Sequence, residues 1–354
     1  MAKKRKTHGF AIVGCGLIAD FHAKAIDSVP NARLVVTASR SAKNARRVAK
    51  PYRADWTTNW RDVLKRDDVD VVNVCTPSGA HMPYAVAAAK AGKHVVVEKP
   101  LEITLARCDR MVEATDKAGV KLVTIFPSRF GHAAQAIKQA IDQGRLGRIV
   151  LADAYVKWYR DQAYYAPGRW QGTKKLDGGG ALMNQSIHTI DLLQWFAGPV
   201  KSVMGRVGRL GHEGIEVEDA GVAVLEFRNG AFGTIEGTTA AYKGYPRRVE
   251  ICGTKGSVFL EGGDITVWNF AGERRQDKVI RRKFGKTEAG AGGTSDPAAI
   301  SFVGHQRQLE GLLEALHTGG EVLCDGREGR LAVEIILAIY RSSRQRRRVT
   351  LPLK

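Results

Sequence analysis

Short apolar runs and longer helical stretches alternate along the first third of the chain. Residues Gly9 to Val13 form an apolar run suited to a buried parallel strand, and Gly14-Cys15-Gly16-Leu17-Ile18-Ala19 then opens a helix reaching about Ser28. Further strands are predicted at Arg33 to Ala38, Val69 to Cys75, His94 to Val97 and Lys121 to Ile125. Helices are predicted around Trp60 to Arg66, Pro83 to Ala91 and Thr104 to Ala118. Such alternation predicts a parallel, doubly wound sheet with right-handed crossovers. After about Gly147 the period changes to two. Runs at Arg148 to Trp158, Val200 to Gly208, Gly221 to Arg228, Ala231 to Ala240, Arg247 to Cys252, Ser257 to Glu261 and Asp264 to Asn269 predict a mostly antiparallel sheet with one face covered. The stretch from Lys283 to Ser295, rich in Gly, Lys and Thr, reads as a mobile loop.

The Gly-x-Gly-x-x-Ala turn carries the first chemistry. Its first glycine permits a sharp turn, its second lets the backbone approach a pyrophosphate, and the small Ala19 lets helix and strand lie close. Unpaired N–H groups at the helix start face phosphate oxygens, so Gly14, Gly16, Leu17 and Ile18 are candidate dinucleotide residues. The expected fold is an α/β Rossmann domain over residues 1–127. An α+β domain with a large, open-faced, mostly antiparallel sheet follows over 128–354, its C-terminal helix able to pack back on the first. Where NAD enzymes place an acid, this chain has Ser39-Arg40-Ser41, with Lys43 nearby. Two hydroxyls and a guanidinium suit a 2′-phosphate, which favours NADP(H) over NAD(H); the alternative is that Arg40 stacks flat on the adenine. Ligands of open parallel sheets lie beyond the carboxyl ends of the strands, which adds Thr76, Pro77 and Lys99 to the same crevice.

Length and charge narrow the partners. A chain of 354 residues fits two domains. Its 55 Lys and Arg against 36 Asp and Glu give +19, which suits a dinucleotide, a phosphorylated or nucleotide-linked sugar, or nucleic acid. No recognition-helix pattern or zinc spacing supports nucleic acid, and the basic runs at Lys3 to Lys6 and Arg344 to Arg348 read as solvated ends. Five scattered cysteines without metal-type spacing imply reduced thiols, hence a cytoplasmic protein without a metal. The basic start followed by an apolar run resembles a leader, but Gly14 and Gly16 interrupt it. No stretch approaches the roughly 18 apolar residues a membrane span needs.

Candidate chemistry in the second half centres on His188. It lies on an expected helix from Ala181 to Phe196 after Gly178-Gly179-Gly180, with Asn184 four residues before it and Asp191 three after, on one face. Oxidising a secondary alcohol needs a base for the hydroxyl proton, and histidine titrates near neutral pH. The segment from Lys157 to Trp170 concentrates Tyr159, Arg160, Tyr164 and Trp170, whose rings and guanidinium suit a sugar wall. Asp191 reads as structural.

Together, the Gly14 to Ala19 turn, Cys75-Thr76-Pro77 with His81, Glu98-Lys99-Pro100, and the glycines leading to Asn184, His188 and Asp191 resemble the Gfo/Idh/MocA family. Ala338 to Ser343 and Leu351 to Leu353 also look like the family's last helix and strand. The resemblance implies that His81 and Glu98 join the cofactor residues, that Lys99 contacts the reacting hydroxyl and the nicotinamide ribose, and that the Lys-Pro peptide is often cis. It also implies a homodimer or homotetramer through the C-terminal sheet. The implied reaction moves a hydride to or from a ring hydroxyl carbon of a sugar, glycoside or nucleotide-linked sugar, C3 being the leading position, with Lys99 and His188 handling the proton on either side of the nicotinamide. Many members have Asp where this chain has Asn184, which argues against a strict Asp–His dyad; the Asn184-containing variant resembles members acting on glucosides or nucleotide-linked sugars more than those acting on inositol. Two alternatives stay open: glycoside cleavage through transient oxidation, and a dinucleotide-binding regulator without chemistry.

Overall fold

The apolar run before the glycine turn is strand β1 (His8–Val13), buried at every position after His8, and the turn opens helix α1 (Leu17–Ser28). The structure, a computed structural model, describes residues 6–285 and 301–353. After α1 come β2 (Ala32–Ala38), α2 (Ala42–Ala49), β3 (Asp55–Thr57), α3 (Arg61–Leu64), β4 (Val71–Val74), α4 (His81–Lys90), β5 (His94–Val97), α5 (Leu105–Ala118) and β6 (Leu122–Thr124). Then follow α6 (His132–Asp142), β7 (Ile149–Lys157), α7 (Ile187–Ala197), β8 (Val200–Gly208), β9 (Ala220–Phe227), β10 (Phe232–Thr238), β11 (Arg248–Gly253), β12 (Gly256–Glu261), β13 (Asp264–Phe270) and α8 (Arg275–Phe284). The described chain closes with α9 (Val303–Thr318), α10 (Gly326–Gln345) and β14 (Val349–Thr350).

Two compact units emerge: the described residues of Met1–Pro127 with Ser301–Arg330, and those of Ser128–Ile300 with Leu331–Lys354. In the first, six parallel strands run in the order β3-β2-β1-β4-β5-β6, with β1 and β4 adjacent at the reversal of strand order. That reversal is where ligands of such sheets bind. The sequence pattern misses β3, whose three residues Asp-Trp-Thr are too short to show a period. α9 packs on α1, with Leu309, Leu312 and Leu313 in the same core as Ile26 and Ala23.

The second unit holds eight strands in the order β13-β12-β11-β7-β10-β9-β8-β14, antiparallel except for the β7–β10 pair. Period-two alternation sorts its side chains. One face is covered by α7 and the turns before it, and the other exposes Leu151, Met204, Val222, Val224 and Phe232. Register places Val224 opposite Met204 and Phe232 opposite Leu151, two apolar pairs with Glu226 and Thr234 between them. The expected helix at 181–196 differs at its start: Ala181–Ser186 winds as a π-helix before α7. The Ser186 hydroxyl donates to the Ala181 carbonyl at 2.8 Å and satisfies it across the widened turn. Apolar periodicity does not reveal such a local change of pitch.

The loop expected from Lys283 to Ser295 lies outside the described residues beyond Gly285. Of the first basic run, Lys3, Lys4 and Arg5 lie outside them too, and Lys6 pairs with Asp70 at 2.6 Å. Among the described residues, no helix is long and apolar enough to cross a membrane.

Candidate active site

At the end of β1, Gly14 adopts φ +98°, and a Cβ there would stand 2.6 Å from the Cys75 carbonyl oxygen. Only glycine fits, so the ends of β1 and β4 can meet. Gly16 is different: its φ of −79° is ordinary, and a Cβ would meet no protein atom within 4 Å. Nothing inside the protein requires glycine there, whereas a bound pyrophosphate approaching the backbone would. No side chain caps α1, so its first N–H groups face outward beside the exposed Leu17 and half-buried Ile18. Thr76 Oγ1, just past β4, is buried without a hydrogen-bond partner, and Pro77 next to it is half-buried. The open cradle at Gly16, the uncapped helix and the spare hydroxyl fit a dinucleotide.

Beyond β2, the Ser39 hydroxyl accepts from the Ser41 N–H and the Ser41 hydroxyl caps α2 by accepting from the Asn44 N–H, both at 3.3 Å. Arg40 is exposed. Arg46 lies over the Trp56 ring at 4.7 Å, an aromatic and cationic surface that the sequence reading overlooks.

Lys99 follows β5 in a cis Lys99–Pro100 turn. Two buried groups brace this turn. His81 Nδ1 lies 2.9 Å from the Pro100 carbonyl and its Nε2 lies 2.9 Å from the Thr76 carbonyl, tying the ends of β4 and β5 together. The Glu98 carboxylate accepts the Lys99 backbone N–H at 3.1 Å and the His22 Nε2–H at 2.9 Å, with His305 Nε2 at 3.4 Å. Burial by itself pushes the Glu98 carboxyl up, but hydrogen bonds from the two imidazoles outweigh it and hold the group well below the usual carboxylate range. Asn73 Nδ2 donates to His22 Nδ1 at 2.8 Å, which leaves the ring proton on Nε2, facing Glu98. Although the three side chains bring ligand-type atoms within 4.8 Å of one another, this tautomer makes His22 a donor to Glu98 instead of a metal ligand. His305, on α9, is a member no local pattern could find.

In the second unit, Gly180 lies where a Cβ would be 1.8 Å from the Glu218 carbonyl oxygen, so the chain passes tightly before turning into the π-helix. The buried Glu218 carboxylate accepts the N–H groups of Gly180 at 3.0 Å and Leu182 at 2.9 Å, capping that turn, and accepts a hydrogen bond from the Tyr340 hydroxyl at 2.7 Å. Asn184 Nδ2 donates to the buried Asp177 at 2.7 Å. Asp191 forms a buried bidentate pair with Arg129, at 2.7 and 2.8 Å, which anchors α7. From Ala181 to Gln194 every side chain is buried except that of His188.

Arg160 and Tyr164 join this helix through Gln185: Arg160 Nη2 donates to Gln185 Oε1 at 3.1 Å, and Gln185 Nε2 donates to the Tyr164 hydroxyl at 3.0 Å. Burial and the Asp177 charge push the Tyr164 phenol up to about 12, so it stays protonated and can donate. Tyr159 instead meets the edge of Tyr242, ring centroids 5.3 Å apart, and Trp170 is half-buried in the following turn. Gln185 and Asp177 are the members that sequence reasoning missed.

Known proteins match in the same two parts. The model of the oxidoreductase family with an NAD-binding Rossmann fold, GFO_IDH_MocA, matches residues 8–126, and the GFO/IDH/MocA C-terminal domain matches 134–259. The WlbA dehydrogenase from Bordetella pertussis, solved in complex with NADH and UDP-GlcNAcA, is 35% identical, with a TM-score of 0.88 and 100% of each chain covered. Myo-inositol 2-dehydrogenase of Thermotoga maritima is 30% identical, covering 71% of this chain and 74% of its own. Inositol 2-dehydrogenase of Rhizobium meliloti is 26% identical, covering 97% of this chain and 98% of its own.

Two outcomes test this geometry. Gly16→Ala should leave the melting temperature unchanged, because its methyl meets no protein atom, yet weaken NADH binding at least tenfold in a fluorescence titration. Burial holds His22 below its usual 6.5 despite the pull of Glu98, so below that pH the unfolded chain binds a proton that the folded one refuses. Stability therefore falls as the pH drops under about 6.5, and falls further below about 4.5, where unfolded chains protonate the carboxyl that the folded state keeps ionised. Melting curves of His22→Gln should be flatter than the parent's between about pH 7 and 5; parallel slopes would refute a neutral His22.

Proposed function

Because the chain belongs to the Gfo/Idh/MocA family of oxidoreductases, whose NAD-binding fold it has, we propose that it moves a hydride between a nicotinamide dinucleotide and a ring secondary-alcohol carbon of a nucleotide-linked sugar acid. The observation that carries this reading is His188, the one side chain in an otherwise buried helical run that is left partly open. Support for the substrate class comes from the likeness to WlbA along both full chains and from the charge of +19, which favours a diphosphate-bearing ligand.

When bound, the nicotinamide accepts or returns the hydride. The remaining work falls to the chain. Gly14, Gly16 and the first turn of α1, with Leu17 and Ile18, bind the pyrophosphate, and Thr76 and Pro77 border it. His81 and Glu98 act as braces: both are buried and hold the turn that carries Lys99. Lys99 stabilises the carbinol oxygen through its ammonium, and His188 takes the hydroxyl proton in oxidation and returns it in reduction. Asn184 orients a hydroxyl beside the reacting one. Arg160 and Tyr164, fixed by Gln185, hold the sugar, with Tyr159 and Trp170 offering ring faces at its margin. Preference for a 2′-phosphate rests on Arg40 with the Ser39 and Ser41 hydroxyls, whose oxygens accept backbone N–H groups and whose protons are left to donate. The exposed face of the second sheet, with the apolar pairs Met204–Val224 and Leu151–Phe232, pairs copies of the chain into a homodimer or homotetramer, and the scattered thiols suit the cytoplasm.

A panel of UDP-sugars, free sugars and cyclitols, run with NAD and NADP and followed at the reduced-nicotinamide absorbance, tests the proposal. UDP-linked uronic acids should give the highest kcat/KM; turnover of inositols alone would overturn the substrate class. His188→Ala should lower turnover about a hundredfold or more while dinucleotide affinity stays nearly unchanged, and full turnover would mean the base lies elsewhere. Sedimentation should find an oligomer at micromolar concentration, and a monomer would contradict the proposed pairing.

A further inference from the structure

A buried carboxylate outside the proposed base helix holds one of the side chains just before it. Asp177 stands just before the three glycines, 1% exposed, and both of its oxygens accept hydrogen bonds: Oδ1 from Asn184 Nδ2 at 2.7 Å and Oδ2 from the Gly172 N–H at 2.8 Å. A carboxylate can only accept, so the Asn184 amide is held with its nitrogen towards Asp177. An amide whose nitrogen is committed turns its oxygen the other way.

We propose that Asp177 is a positioning residue that fixes the Asn184 amide with its oxygen as acceptor for a hydroxyl beside the reacting one, Asp177 holding the amide nitrogen and so setting its orientation. This rests on the reading of His188 and Asn184 as substrate-contacting residues. The chemistry follows from donor and acceptor counting. A hydroxyl about to lose its proton to His188 must be pointed at the imidazole, and an acceptor at 184 takes the proton of the neighbouring hydroxyl so that it does not compete. An inverted amide would present N–H and misdirect that hydroxyl.

The Asp177 charge is felt by the phenols of Tyr164, Tyr165 and Tyr340, which burial already raises, and the other carboxylate at the start of this helical run, Glu218, is occupied by Tyr340 and two backbone N–H groups. Glu218 therefore cannot take over the role.

Exchanging the two residues separates this from simple packing. In Asp177→Asn, the fixed Gly172 N–H claims the new amide oxygen, so the new NH2 group faces Asn184 and forces it to flip, presenting a donor. In Asn184→Asp, two carboxylates meet and must share a proton. In the double variant Asp177→Asn/Asn184→Asp, the new amide donates to the new carboxylate and an acceptor faces the substrate again. Expected results are a fall of about ten- to a hundredfold in kcat for Asp177→Asn, since small misplacements in an active site cost about that much. Asn184→Asp should add a titration to the kcat/KM profile that the parent lacks, and the double variant should recover to within about tenfold of the parent and lose that titration. A folded Asp177→Asn with the parent's kcat, or a double variant no better than the weaker single one, would overturn the proposal. Should Asp177→Asn fail to fold, Asn184→Asp and the double variant decide it. With His188→Ala as control, the failures separate: an active His188→Ala removes the base reading itself, whereas an inactive one beside an unrecovered double variant removes only the role of Asp177.

Discussion

The approach of Gly14 to the Cys75 carbonyl, closer than any side chain allows, is the constraint on which the first unit depends. It lets β1 and β4 end side by side, which points the uncapped start of α1, the spare Thr76 hydroxyl and the turn after β5 towards one edge of the sheet. A larger residue would push the strands apart at the reversal of strand order. The braces beneath extend the same logic: His81 joins two strand ends through their carbonyls, and Glu98, charged despite burial because two imidazoles face it, anchors the peptide that bears Lys99.

The second unit answers a different demand. A helical run lies against a sheet with its side chains buried, yet one polar group must stay accessible and keep a fixed orientation. Two buried carboxylates fix the start of the run from outside it, Glu218 by capping the turn and Asp177 by holding the amide of Asn184, while Arg129 and Asp191 lock the following helix. The π-helical start widens the run where Asn184 and Gln185 sit, a local departure of the kind found at functional sites.

How much of this was legible depended on the range of the interaction. The glycine turn, the strand at Val200 to Gly208, the helix ending at Ser28 and the change to period-two runs were readable because each is encoded within about ten residues. Candidate chemistry on such elements, Lys99 and His188, could be named for the same reason. His305 could not, because it meets Glu98 only through the return of residues Ser301–Arg330 to the first unit, which no local pattern announces. Asp177 was hidden in a loop that read only as the approach to three glycines, and Asn184 looked like a lost carboxylate until its neighbour was visible. The local network at Ser39 and Ser41 was not legible either: the Ser39 hydroxyl accepts the Ser41 N–H, and the Ser41 hydroxyl caps α2.

Hydride transfer itself is open to direct observation. A UDP-linked uronic acid carrying deuterium at C3, mixed with NAD and the purified chain for a single turnover, should yield reduced nicotinamide containing that deuterium by mass spectrometry. Product formed with the deuterium lost to water, or still on the sugar, would contradict hydride transfer from that carbon.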